Sequence, residues 1–95
     1  MYTGQQITGK KAQQLVDKGA VIYDTRDPVK YRDGTIPGAI NLTLRKVSDV
    51  LKHPKTTPII VFGDDASTVK STINYISQYG FSNVFLLNSI DDWNK

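Results

Sequence analysis

Four short apolar runs, rich in β-branched and aromatic residues, limit what this chain can fold into. They are Ala20-Val21-Ile22-Tyr23, Ala39-Ile40-Asn41-Leu42, Ile59-Ile60-Val61-Phe62 and Val84-Phe85-Leu86-Leu87. Runs this short, with so little polar alternation, read as strands covered on both faces, as in parallel sheets. Between them lie helical patterns. Thr8 is an N-cap candidate, with Ala12, Leu15 and Val16 at helical spacing before Gly19. Asp27-Pro28 opens a short helix with proline in its first turn, and Gly34-Thr35-Ile36-Pro37-Gly38 is a dense turn signal. A further helix is predicted from about Leu44 to Leu51, broken before His53-Pro54. Another spans Ser67 to Tyr79, with Val69, Ile73 and Ile76 inward and Gly80 closing it, and Ile90–Trp93 forms a last turn. Strands alternating with helices require crossover connections. The expected fold class is therefore α/β, a parallel sheet with helices on both faces, in a single domain over residues 1–95.

Composition removes several function classes. Ninety-five residues hold one core, and no cysteine means no disulfide, no thiolate metal site and no thiol nucleophile. The polar start, Met1-Tyr2-Thr3-Gly4-Gln5-Gln6, lacks the apolar run of a signal peptide, and no stretch is long enough to span a bilayer. A cytoplasmic location, without membrane association, is expected. The net charge is +3, and all nine acidic residues are aspartates. The densest basic cluster, Arg45, Lys46, Lys52 and Lys55, has no interleaved aromatic residues for base stacking. It reads as a solvated face, so a nucleic-acid partner is not expected.

Ligands of open parallel sheets bind at the carboxyl ends of strands. That rule selects Asp24-Thr25-Arg26, the loop Gly63-Asp64-Asp65-Ala66-Ser67-Thr68, and Asn88-Ser89. A hydroxyl nucleophile needs an adjacent base. His53, the one histidine, sits in a polar connection away from the loop and has no companion for a metal. Ser67 thus reads as a cap or turn residue. Asp64 and Asp65 could join Asp24 or Asp27 around Mg²⁺. The favoured reading has Asp65 capping the helix and Asp64 solvated beside its positive end, worth about 0.3–1 kcal/mol each. No metal and no cofactor are expected.

These same points carry a resemblance. Asp24-Thr25-Arg26-Asp27-Pro28 resembles the Asp-Val-Arg-Glu-Pro signature of the rhodanese-like domain family, with Tyr31 at the aromatic position that follows. Gly34-Thr35-Ile36-Pro37-Gly38-Ala39-Ile40-Asn41 matches its Gly-His-Ile-Pro-Gly-Ala-Ile-Asn segment except at Thr35. Tyr79-Gly80-Phe81-Ser82-Asn83-Val84 is similar to its Leu-Gly-Phe-x-Asn-Val segment, and Trp93 to its closing tryptophan. The resemblance runs from about Gln6 to Trp93 and implies a three-layer α/β/α sandwich with a five-stranded parallel sheet. It also implies a role for Asp24 and Arg26 as a pair tying strand to loop.

The departures cluster at the family's active site. Its loop is Cys-x-x-Gly-x-Arg, where the cysteine takes up sulfur as a persulfide. The matching positions here are Gly63, Ala66 and Thr68. Asn88-Ser89 replaces the Gly-Gly pair, and Lys30 stands where the family usually has glutamate. The chain is therefore expected to be a catalytically inactive, non-enzymatic relative serving as a binding or regulatory module for a protein partner. The alternatives are a different enzyme or metal site on the acidic loop, and a nucleic-acid binder using the basic half. Asp64 and Asp65 are expected to repel sulfate and phosphate. They should also raise the pKa of any cysteine restored at Gly63.

Overall fold

The computed structural model describes residues 4–94, apart from the side chains of Leu44, Arg45 and Asn94. Tyr2 and the Arg45 side chain, both considered above, lie outside the described residues. The chain runs β1 (Gln5–Ile7), α1 (Gly9–Asp17), β2 (Val21–Asp24), α2 (Pro28–Asp33), β3 (Ile40–Asn41) and a 3-10 helix (Leu44–Lys52). It continues through β4 (Ile59–Phe62), α3 (Ala66–Gln78), β5 (Val84–Leu87) and a second 3-10 helix (Ile90–Asn94). The five strands form one all-parallel sheet in the order β1-β5-β4-β2-β3.

Side chains alternate across β4 to build two cores. Ile59 and Val61 pack with Val69, Ile73 and Ile76 of α3 and with Val50 of the first 3-10 helix. Ile60 and Phe62 face Ala12, Leu15 and Val16 of α1, with Ile90 and Trp93 of the closing helix. All four β4 residues are fully buried, as the uninterrupted Ile-Ile-Val-Phe run requires. The five-stranded parallel sheet layered between helices is the architecture expected above.

Each α-helix begins on a side-chain cap. Thr8 Oγ1 accepts from the Lys11 N–H at 3.1 Å, and Asp27 Oδ1 accepts from the Val29 and Lys30 N–H groups at 2.9 and 3.1 Å. Asp65 caps α3: Oδ1 accepts from the Ser67 N–H at 3.1 Å, and Oδ2 accepts from the Thr68 hydroxyl at 2.7 Å. Asp65→Ala should therefore lower stability by about 0.5–2 kcal/mol, and Asp65→Asn, which can still cap, by less. Denaturation midpoints read this directly; equal, near-zero shifts for both variants would contradict the cap. The segment predicted as a helix over Leu44–Leu51 is a 3-10 helix instead.

Strand order places the topological switch point between β2 and β4. From β2 the chain crosses outward to β3, and from β4 it crosses outward to β5. The carboxyl ends of β2 and β4 thus frame the crevice where such sheets bind ligands.

Candidate functional site

Asp24, at the end of β2, is fully buried and charge-paired. Its Oδ1 accepts from the Arg26 N–H at 2.9 Å and from Arg26 Nε at 3.1 Å. Its Oδ2 accepts from Arg26 Nη2 at 2.9 Å and from the Thr35 hydroxyl at 2.8 Å. Arg26 Nη2 also donates to the Gly34 carbonyl at 2.6 Å, and the guanidinium lies over the Phe62 ring. Asn41 Nδ2 donates to the carbonyls of Asp24 and Arg26. These bonds stitch the end of β2 to the turn before β3. The hydrogen bond from Arg26 to Asp24 raises the guanidinium's pKa, fixing its positive charge.

Thr25 packs against Gly63 at the switch-point crevice. Its N–H and its hydroxyl both donate to the Phe62 carbonyl, at 2.9 and 3.0 Å. This puts Oγ1 beside Gly63, at the position where the resemblance places a cysteine. A Cβ added at Gly63 would collide with Thr25 Oγ1 and lie 3.0 Å from Val69 Cγ2. Gly63 is thus a close-approach glycine, and its neighbour occupies the space a nucleophilic side chain would need.

On the β5 side of Gly63 a cavity of about 270 Å³ remains open, lined by Gly63, Asp64, Ala66, Val69, Lys70, Leu86, Asn88 and Ser89. The structure therefore brings Gly63, Asp64 and Ala66 together with Asn88 and Ser89. Thr68 and Arg26 lie apart from it, lining a separate groove with Thr25, Thr43 and Thr72. Asp24 lines neither, being sealed beneath Arg26 and Thr35. Ser67 is exposed, with its N–H held by Asp65.

Asp64 is not simply solvated. Lys30 Nζ donates to Asp64 Oδ2, joining α2 to the loop across 34 positions of sequence. The bond lowers the pKa of Asp64 and raises that of Lys30, so the pair is ionised throughout the neutral range. Asp65 is committed to its cap. The expected cap is present at Asp65, whereas Asp64, expected to be solvated, is paired with Lys30. The strand-end rule and the departures from the family pattern placed Thr25 and Lys30 at the site; what they did not show is that Thr25 abuts Gly63 and that Lys30 bonds Asp64. The available signal for that bond was a lysine in place of the family's usual glutamate, in a chain whose loop carries two aspartates.

The four aspartates considered for Mg²⁺ are all engaged: Asp24 with Arg26, Asp27 and Asp65 as caps, Asp64 with Lys30. Among the described residues no group of three or more potential metal ligands is found. His53 Nε2 lies 2.9 Å from the Tyr23 hydroxyl. Burial, then the charge of Asp49, pushes Tyr23 up to about 12. Burial, then Lys52, pushes His53 below its ordinary 6.5. The histidine serves the core face of the sheet and is no base for the loop. No described helix is long and apolar enough to cross a membrane.

The five-stranded parallel sheet layered between helices is the fold of the rhodanese-like class. The chain belongs to the rhodanese-like domain family, whose sequence profile matches residues 8–95. It is 32% identical over 84 residues to the thiosulfate sulfurtransferase GlpE of Ectopseudomonas mendocina (strain ymp), covering 87% of this chain and 77% of that protein. To the protein of the same name from Pseudomonas entomophila (strain L48) it is 33% identical over 82 residues, covering 85% and 75%. The Rhodanese_3-like domain of an Anabaena protein superposes with a TM-score of 0.71 at 26% identity, over 80% of this chain and 91% of that one. A single-domain sulfurtransferase of Saccharomyces cerevisiae shares the fold at a TM-score of 0.75 and 19% identity, over 96% and 89%.

The Ectopseudomonas and Pseudomonas relatives are named thiosulfate sulfurtransferases, which overturns the expectation of an inactive binding or regulatory module. A cavity lies beside the position of the absent cysteine. Being free of cysteine, the chain cannot itself form a cysteine persulfide.

Proposed function

We propose that this chain supports sulfur transfer of the thiosulfate sulfurtransferase type in a single displacement, with no sulfur ever bonded to the chain. The observation that carries the reading is the 32% identity to a thiosulfate sulfurtransferase across 87% of the sequence. The cavity between the first turn of α3 and Asn88-Ser89, with Lys70 in its lining, receives the sulfur-bearing dianion. The accepting thiol comes from outside, on a partner protein or a small molecule. Its thiolate attacks the outer sulfur of thiosulfate, the S–S bond breaks, and the electron pair of that bond leaves with sulfite. The acceptor then holds the persulfide.

The chain's contribution is positioning, which replaces an encounter in solution by an oriented one. Thr25 occupies the space beside Gly63, so the reaction is assigned to the cavity on the β5 side. Such chemistry needs reduced thiols, which accords with the cytoplasmic setting expected from sequence. The test is sulfite release from thiosulfate with dithiothreitol as acceptor. Release should depend on the protein and saturate with thiosulfate. A rate equal to that of the protein-free control would overturn the proposal.

A further inference from the structure

Lys30 and Asp64 are both about half exposed, with side-chain exposures of 55% and 46%. Asp64 lines the cavity described above, whereas Lys30 lines a groove on the α2 side that also includes Arg26 and Asp33. The ion pair therefore joins two openings on the same end of the sheet. Asp64 also feels the charge of Arg26, whose Nε and Nη2 donate to Asp24 and the Gly34 carbonyl. The carboxylate is thus a small anion placed between two cations, tethered by its own backbone at the rim of the cavity.

An exposed ion pair is held weakly, because water competes for both partners. A dianion offers Lys30 more charge than the single charge of Asp64 does. We infer that Asp64 is an internal competitor for the ligand anion, and that Lys30 is the residue that selects a dianion by exchanging Asp64 for it. This rests on the reading that the cavity takes a sulfur-bearing dianion, and it names the group that recognises it. Asp27 adds its charge to Lys30 but is held as the cap of α2, so it is not the partner exchanged.

Equilibrium binding of sulfate, measured by calorimetry at low ionic strength, tests this without turnover, since sulfate has no transferable sulfur. Asp64→Asn should tighten sulfate binding by about fivefold or more, and Lys30→Gln should weaken it by a similar factor, the scale of an ordinary coupling between sites. In the Lys30→Gln/Asp64→Asn double variant the gain from Asp64→Asn should disappear. A gain that persists without Lys30 would reduce Asp64 to a general charge effect and overturn the exchange. So would sulfate affinities unchanged by either substitution, or no sulfate binding by any form. Sulfite release that fails while sulfate binding follows this pattern would remove the reaction and leave the anion site standing.

Discussion

Asp24→Ala should destabilise the fold by about 3–5 kcal/mol, the usual result of removing one partner from a buried ion pair. Asp24 is fully buried, and its two oxygens receive four side-chain and backbone donors from Arg26 and Thr35. Truncation leaves the Arg26 guanidinium charged and only 12% exposed, with the Gly34 carbonyl as its remaining partner. Thr35→Val removes a single neutral donor and should cost about 1 kcal/mol. Chemical denaturation of the two variants reads the difference. A midpoint for Asp24→Ala close to the parent would show that the clasp does not hold the β2 end in place.

Restoring the sulfur atom alone should fail. Gly63→Cys introduces a Cβ into space held by Thr25 Oγ1, and overpacking of this kind costs about 1–3 kcal/mol. The obstacle is steric first: Asp65 is occupied with its cap and Asp64 with Lys30, so neither carboxylate is free to suppress the thiolate. Thr25→Ala removes the colliding hydroxyl and leaves Thr25 Cβ at 3.5 Å, an ordinary contact. On that background Gly63→Cys should be tolerated better, with a favourable coupling of about 0.5–3 kcal/mol between the two sites. Sulfane sulfur bound covalently after incubation with thiosulfate should appear in the double variant and not in Gly63→Cys alone. Additive stabilities, or a Gly63→Cys protein as stable as the parent, would show that Thr25 does not guard the position.

Much of the architecture was legible because the central strands are apolar on both faces. Ile59–Phe62 has no polar residue to expose, and only a covered parallel strand accommodates it. β1 was not legible from pattern: Gln5-Gln6-Ile7 has one apolar residue, and it becomes a strand only by pairing with β5 at the sheet edge. Leu44–Lys52 shows why period misleads over short spans. Val47 and Val50, three apart, both pack on the core, which suits the three-residue turn of a 3-10 helix as well as it suits an α-helix. The start of α3 was read one residue late, because its cap Asp65 was placed correctly but Ala66 has no distinguishing side chain.

The site was legible in its location and not in its geometry. The rule for strand ends selected Asp24, Arg26, Gly63–Thr68 and Asn88-Ser89, but side-chain direction in loops follows no period. Only the fold shows that Asp24 is sealed away, that Thr68 turns back to Asp65, and that Thr25 packs against Gly63. The bond between Lys30 and Asp64 joins residues that share no local pattern, so its trace in the sequence is the lysine at position 30 where the family usually has glutamate.

Initial rates of sulfite formation, measured with thiosulfate and an external thiol varied together, test the central claim most directly. Transfer in one displacement requires both substrates on the protein at once, so double-reciprocal plots should give lines that intersect. Parallel lines would mean that sulfur is first bonded to the chain, and an absence of protein-dependent rate would mean that no transfer occurs; either result contradicts the account.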